Sequence, residues 1–182
     1  MRIPPAPSRL ALACLALLGL AGAAPAAELA PGGDAPDFAL PGSDGKLHRL
    51  EDYVGKQGVV LAWFPKAFTP GCTTELQALR DSAAALAKFE AVVFMVSLDT
   101  PEKNREFAES LKAQQVLLLS DPTGEAAKAY GVTGFSGRIA NRWTFYIDSG
   151  GTIRAIDRDV SPSTAGEDMA RKLAELGFPK RD

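Results

Sequence analysis

Val59 to Leu98, VVLAWFPKAFTPGCTTELQALRDSAAALAKFEAVVFMVSL, is the stretch that decides the fold. It opens with Val59–Phe64 and closes with Val92–Leu98, two continuous apolar runs rich in β-branched and aromatic residues. Unbroken runs of this kind suit strands buried on both faces of a sheet, whereas a half-exposed strand alternates. Between them Leu76, Leu79, Ala83 and Leu86 recur at helical spacing, which predicts an amphipathic helix over Pro70–Lys88. Strand, helix and strand in that order make a right-handed βαβ unit with parallel strands.

Working outward, Phe38–Leu40 and Lys46–Leu50 read as two short strands around the turn Gly42-Ser43-Asp44-Gly45. Downstream, the pattern predicts a helix over Pro101–Ala113, a strand over Val116–Leu119 and a short helix over Gly124–Tyr130. Trp143–Ile147 and Thr152–Ile156 flank Asp148-Ser149-Gly150-Gly151 as a hairpin, and Ser163–Leu176 is a last helix with Gly177 as its cap. Trp63 and Trp143 fall in strand patterns and read as core. His48, in the early hairpin, reads as exposed and is assigned no role. Gly134 to Arg138 is glycine-rich but lacks the spacing of a phosphate loop, so it reads as a connection.

The beginning of the chain is of another kind. Arg2 and Arg9 form a short basic region, Leu10–Gly22 is almost wholly Leu, Ala and Gly, and Ala24-Pro25-Ala26 supplies small residues. This is the pattern of a secretory signal peptide, residues 1–26, cut after Ala26 or Ala27. The apolar run falls short of the roughly 20 residues that span a bilayer. The expectation is therefore an exported protein, in a bacterial periplasm, with one domain over 27–182 and no membrane anchor after cleavage. Export also takes Cys14 away and leaves Cys72 as the one cysteine of the mature chain.

With 182 residues, 46% hydrophobic and 23% charged, the composition is that of an ordinary globular protein. A net charge of -2 gives no basic footprint for nucleic acid. One histidine excludes metal sites built on two or three imidazoles, and no cofactor motif is present.

Chemistry concentrates where the first buried strand meets its helix, in Pro65-Lys66-Ala67-Phe68-Thr69-Pro70-Gly71-Cys72-Thr73-Thr74-Glu75. Thr69 followed by Pro70 reads as N-cap and first helical residue. Cys72 then sits in the first turn, where free N–H groups and the positive end of the helix dipole favour its thiolate. A lone cysteine is more commonly a small core residue, yet a core position needs none of the Pro, Thr and Gly crowded into this turn. Lys66 reads as a solvated lysine close in sequence to the sulfur. The carboxyl end of a parallel strand is also where open α/β sheets bind ligands.

Pro65-x-x-x-Thr69-x-x-Cys72 resembles the active-site signature of the peroxiredoxins, and FTPGCTTE is most similar to the bacterioferritin-comigratory, or peroxiredoxin Q, branch. The resemblance runs from about Gly33 to the last helix. It implies an α/β thioredoxin-like fold, with a central mixed β-sheet flanked by helices on both faces and an N-terminal β-hairpin. It also implies a thiol peroxidase that reduces hydrogen peroxide or organic hydroperoxides. Arg142, opening Arg142-Trp143-Thr144-Phe145, is similar to the family's late-strand arginine. Cys72 would attack the O–O bond, the Cys72 N–H, Thr69 hydroxyl and Arg142 guanidinium would meet the departing charge, and Pro65 would shield the sulfur. Thr69 would also accept the proton of the peroxide. Removing Thr69's hydroxyl or Arg142 should then slow the reaction and leave folding little changed. Glu75 is either the family's acidic partner of a basic group or a plain first-turn acid.

One departure matters. The branch often carries a resolving cysteine five residues after the first, where this chain has Gln77. A single-cysteine enzyme needs an external thiol, either a thioredoxin-like protein or a small thiol, unless a second subunit resolves it; monomer and homodimer both stay open. The rival reading is a thioredoxin-like redox sensor or thiol-disulfide exchange protein without efficient turnover. Exchange would want Cys-x-x-Cys, and the second position is Glu75.

Overall fold

The computed structural model describes residues 1, 28–134 and 137–181. The signal peptide expected over residues 1–26 falls, apart from Met1, outside the described residues, as do Phe135, Ser136 and Asp182. Two strands, β1 (Ala39–Pro41) and β2 (Leu47–Arg49), form a small antiparallel sheet near the start of the domain. The main sheet has five strands: β3 (Gly58–Trp63), β4 (Ala91–Ser97), β5 (Leu117–Ser120), β6 (Thr144–Ile147) and β7 (Ile153–Asp157). Their spatial order is β5-β4-β3-β6-β7, with β5, β4 and β3 parallel and β6 and β7 antiparallel to their neighbours. The sheet is therefore mixed, as the resemblance implies.

The helices are α1 (Pro70–Asp81), α2 (Ala83–Leu86), α3 (Pro101–Ser110), α4 (Glu125–Ala129) and α5 (Ala165–Glu175). Side chains alternate across β3. Val60, Ala62 and Phe64 face a core filled by Leu76, Leu79, Phe107, Met169 and Leu173 from α1, α3 and α5. Val59, Leu61 and Trp63 face the opposite core, closed by α4 with Tyr130, and by Phe38 and Leu40 of the N-terminal hairpin. All six residues of β3 are buried, which explains its unbroken apolar sequence.

Three expectations need correction. The helix predicted over 70–88 is two pieces, because Ser82 leaves helical backbone (φ -92°, ψ 1°) and α2 adds one turn of alanines and Leu86. His48 is buried, not exposed: its Nδ1 lies 2.7 Å from the Tyr53 hydroxyl and its Nε2 3.1 Å from Asp44, with its ring against Phe94. The turn before it folds onto β5, through Ser43 N–H to Leu118 O and Leu118 N–H to Ser43 Oγ, and carries the histidine inward. Trp143 is half-buried under the Arg158 guanidinium, 4.7 Å from the ring centre, while Trp63 is fully in the core.

The end of α5 follows its expectation. Gly177 adopts φ +72°, and the Gly177 and Phe178 N–H groups return to the Ala174 and Leu173 carbonyls. Near its start, α5 comes so close to α1 that a Cβ on Gly166 would stand 2.4 Å from Ser82 Oγ and 2.5 Å from Ala78 O. That approach sets α1, and the cysteine at its other end, against the rest of the domain. Among the described residues no helix is long and apolar enough to cross a membrane.

Candidate active site

The site lies at the carboxyl end of β3, where the chain leaves the sheet through residues 64–69 and enters α1. Pro70 holds the first helical position, so Gly71 and Cys72 complete the first turn with no preceding carbonyls to bond. Cys72 is 0% exposed and belongs to the core beneath α1. Glu75, one turn further on the same face, is only 1% exposed. Two buried polar groups on one helix face require a partner, and a single residue from across the sheet supplies it.

That residue is Arg142, just before β6. Its Nη2 donates to Cys72 Sγ at 3.3 Å, and its Nη1 forms an ion pair with Glu75 Oε2. One planar guanidinium thus holds the sulfur and the carboxylate at once, which a lysine's single ammonium could not do in this geometry. Gly71 contributes by omission, since a Cβ there would meet Arg142 Nη2 at 3.2 Å. Of the two readings of Glu75, the structure supports the acidic partner of a basic group. Burial pushes its carboxyl up to about 7, against the lowering pull of Arg142 through charge and hydrogen bond.

This pair weighs against the expectation that folding is little changed without Arg142. The arginine is 19% exposed and compensates a carboxylate with almost no access to water. Its loss would strand that charge.

Thr69 is the N-cap by backbone (φ -85°, ψ 151°), but its side chain makes no capping bond. Its hydroxyl donates to Lys66 O at 2.9 Å instead. The proton is thereby committed, and the lone pairs are what Thr69 can present to a ligand. In the sequence Thr69 reads as a donor to the departing oxygen as well, and this bond favours the accepting role. Pro65 is half-buried at the head of the loop, and Lys66 is exposed.

Two features of this loop have no mark in the motif. Phe68 adopts φ +64°, a left-handed conformation that costs a bulky residue about 1–3 kcal/mol. Its ring, half open to solvent, rests 5.0 Å from that of Phe107. The preceding residue, Ala67, donates its N–H to Asp99 Oδ2 at 2.7 Å. Asp99 lies 27 positions beyond Cys72, and only the parallel pairing of β3 with β4 brings it here. Among the described residues, no three His, Cys, Asp or Glu side chains gather to hold a metal.

The AhpC/TSA family model matches residues 31–156 of the chain. Peroxiredoxin Bcp of Escherichia coli K12 is 38% identical over 153 residues, covering 81% of this chain and 97% of that protein. Peroxiredoxin Bcp of Bacillus subtilis is 38% identical over 128 residues, covering 67% and 80%. Among solved structures, peroxidoxin BcpB of Mycobacterium tuberculosis superposes with a TM-score of 0.69 at 35% identity, covering 80% of this chain and 95% of that one. A cysteine-to-serine variant of PrxQ from Xylella fastidiosa gives a TM-score of 0.73 at 25% identity, covering 81% and 96%.

Proposed function

The chain belongs to the AhpC/TSA family, as a peroxiredoxin of the Bcp type that reduces peroxides with thiols, and on that premise we propose how its own residues divide the work. Cys72, as thiolate, attacks one oxygen of the peroxide. The S–O bond forms as the O–O bond breaks, the proton of the peroxide goes to the leaving alkoxide or hydroxide, and the sulfenate left on Cys72 takes a proton from solvent to become a sulfenic acid. Arg142 holds the thiolate before attack and meets the charge that develops on the leaving oxygen. The N–H groups of the first turn of α1 add to it. Thr69, its own proton given to Lys66 O, accepts the hydrogen of the peroxide and orients it. Glu75 holds the guanidinium in plane, and Pro65 covers the loop side of the sulfur.

The observation that carries this reading is the 3.3 Å contact from Arg142 Nη2 to Cys72 Sγ, with Glu75 fixing the other arm of the same guanidinium. Rapid mixing with hydrogen peroxide and with an alkyl hydroperoxide, in the presence of excess thiol, tests it. Turnover that disappears in Cys72→Ser supports the assignment; a Cys72→Ser protein that still turns over would end it.

Resolution falls to a thiol from outside the chain. Cys72 is the one free cysteine among the described residues, and the position of the branch's resolving cysteine is Gln77. The external thiol attacks the sulfenic sulfur and releases water, and a second thiol then frees Cys72 as the disulfide departs. For an exported protein, cut after Ala26 or Ala27, this reductant is a thioredoxin-like protein or a small thiol of the periplasm.

A further inference from the structure

We propose that Asp99, on the loop between β4 and α3, is a positioning residue for peroxide reduction, acting through the backbone of residues 66–69 to set Thr69. The proposal rests on the assignment of Cys72 and Thr69 above.

The strands β3 and β4 run parallel, with Trp63 opposite Val96 and Phe64 N–H bonded to Val96 O. The loops that follow them therefore start side by side. One carries Thr69 and the other carries Asp99. The Asp99 carboxylate is 8% exposed, and its Oδ2 takes the Ala67 N–H at 2.7 Å. Its Oδ1 takes Lys103 Nζ at 2.8 Å, which balances the charge.

The carboxylate is itself held. Ser97 Oγ lies 3.2 Å from Asp99 Oδ2, and accepts the Asp99 N–H at the same distance. Ser97 Oγ also stands 3.2 Å from Asn104 Oδ1, and Asn104 Nδ2 donates to Leu119 O and Ser120 Oγ on β5. Ser97, Asn104 and Ser120 are fully buried. Asp99 thus ties the active-site loop to a buried polar scaffold that joins β4, α3 and β5.

The loop needs such a tie. Phe68 sits in left-handed backbone between Ala67 and Thr69, and the turn that aims Thr69 is closed by the Thr69 hydroxyl on Lys66 O. A loop free to relax at Phe68 would swing Thr69 away. Charge-assisted N–H to carboxylate bonds are the strong members of their class, and this one grips the loop one residue before the strained position.

The test is a double-mutant cycle on the rate of Cys72 oxidation by hydrogen peroxide, with circular dichroism and thermal melting of each variant. Asp99→Ala is expected to slow the reaction by about 10²-fold, as a misplacement of roughly 1 Å does. Asp99→Asn, which keeps an acceptor for Ala67 N–H, should lose less than about 10-fold. In a Thr69→Val background Asp99→Ala should cost less than about threefold more, because the group it positions is gone. A purely structural role would leave the two losses additive. Asp99→Ala at the wild-type rate, or the full loss retained beside Thr69→Val, overturns the proposal. Should Asp99→Ala not fold, Asp99→Asn carries the cycle: its loss must stay under about 10-fold and must shrink in the Thr69→Val background. Failure of the peroxidase reading would show separately, as a wild-type protein whose Cys72 does not react.

Discussion

Replacing Arg142 by Met keeps much of the side chain's volume, removes its charge and leaves Glu75 alone in the core. With Arg142 present, burial already holds the Glu75 carboxyl at about 7, above its ordinary 4.5. A carboxyl raised on folding contributes stability that is complete below 4.5 and is lost as pH climbs through 7. At about 1.4 kcal/mol per unit, the wild type gives up on the order of 3 kcal/mol across that window and then levels off. Without Arg142 both influences that lower the carboxyl vanish, so the variant keeps losing stability above pH 7. At pH 5 Glu75 is protonated in both proteins, and the penalty is that of an unpaired buried polar group, about 1–3 kcal/mol. At pH 8 it is that of a broken buried ion pair, about 3–5 kcal/mol. Urea unfolding at pH 5, 6, 7 and 8 measures it, with Arg142→Met/Glu75→Gln as the partner experiment. The double variant should recover most of the loss at pH 8 and flatten the pH dependence. An equal penalty at pH 5 and pH 8, or a double variant no better than the single, refutes the reasoning.

Thr69→Val should slow peroxide reduction by about 10²- to 10³-fold while Thr69→Ser stays near the wild type, read by competition for peroxide with a reporter peroxidase. One equivalent of peroxide without reductant should add one oxygen to the monomer in intact mass spectra, and a small thiol should convert that species to a mixed disulfide. Rapid and complete formation of a Cys72–Cys72 dimer active in turnover would instead place resolution between subunits. Gly166→Ala should destabilise the domain by about 1–3 kcal/mol in thermal melts, since its Cβ would overlap Ser82 and the Ala78 carbonyl, with α1 shifted against α5.

Much of this protein is legible along the chain because its physics is local. The apolar runs at Val59 and Val92 and the period between them determine a buried parallel pair with a crossover helix, since burial on two faces leaves no alternation. Thr69-Pro70 determines where that helix begins, because proline costs nothing at a first position that has no bond to lose. Cys72 in the first turn follows from counting, and so does Gln77 at the position where the branch often carries a resolving cysteine. The break at Ser82 was not legible: the alanines after it are good helix formers, and no residue there forbids continuation. His48 was misread because polarity in a hairpin suggests solvent, whereas Asp44 and Tyr53 supply the two partners that make burial affordable.

What the tertiary structure decided is every pairing between residues remote in sequence. Glu75 carries no mark that separates a buried ion-pair partner from a first-turn acid; the segment just before β6 makes the difference by delivering Arg142. Asp99 resembles any loop aspartate until β3 and β4 align their exits and set it on Ala67. The sequence by itself determined which residue is proposed as the nucleophile and in which turn it sits, through backbone geometry that a dozen neighbouring residues can specify. Only the fold decided what surrounds that nucleophile, because Arg142, which holds it, lies 70 positions further along the chain and meets α1 in space alone.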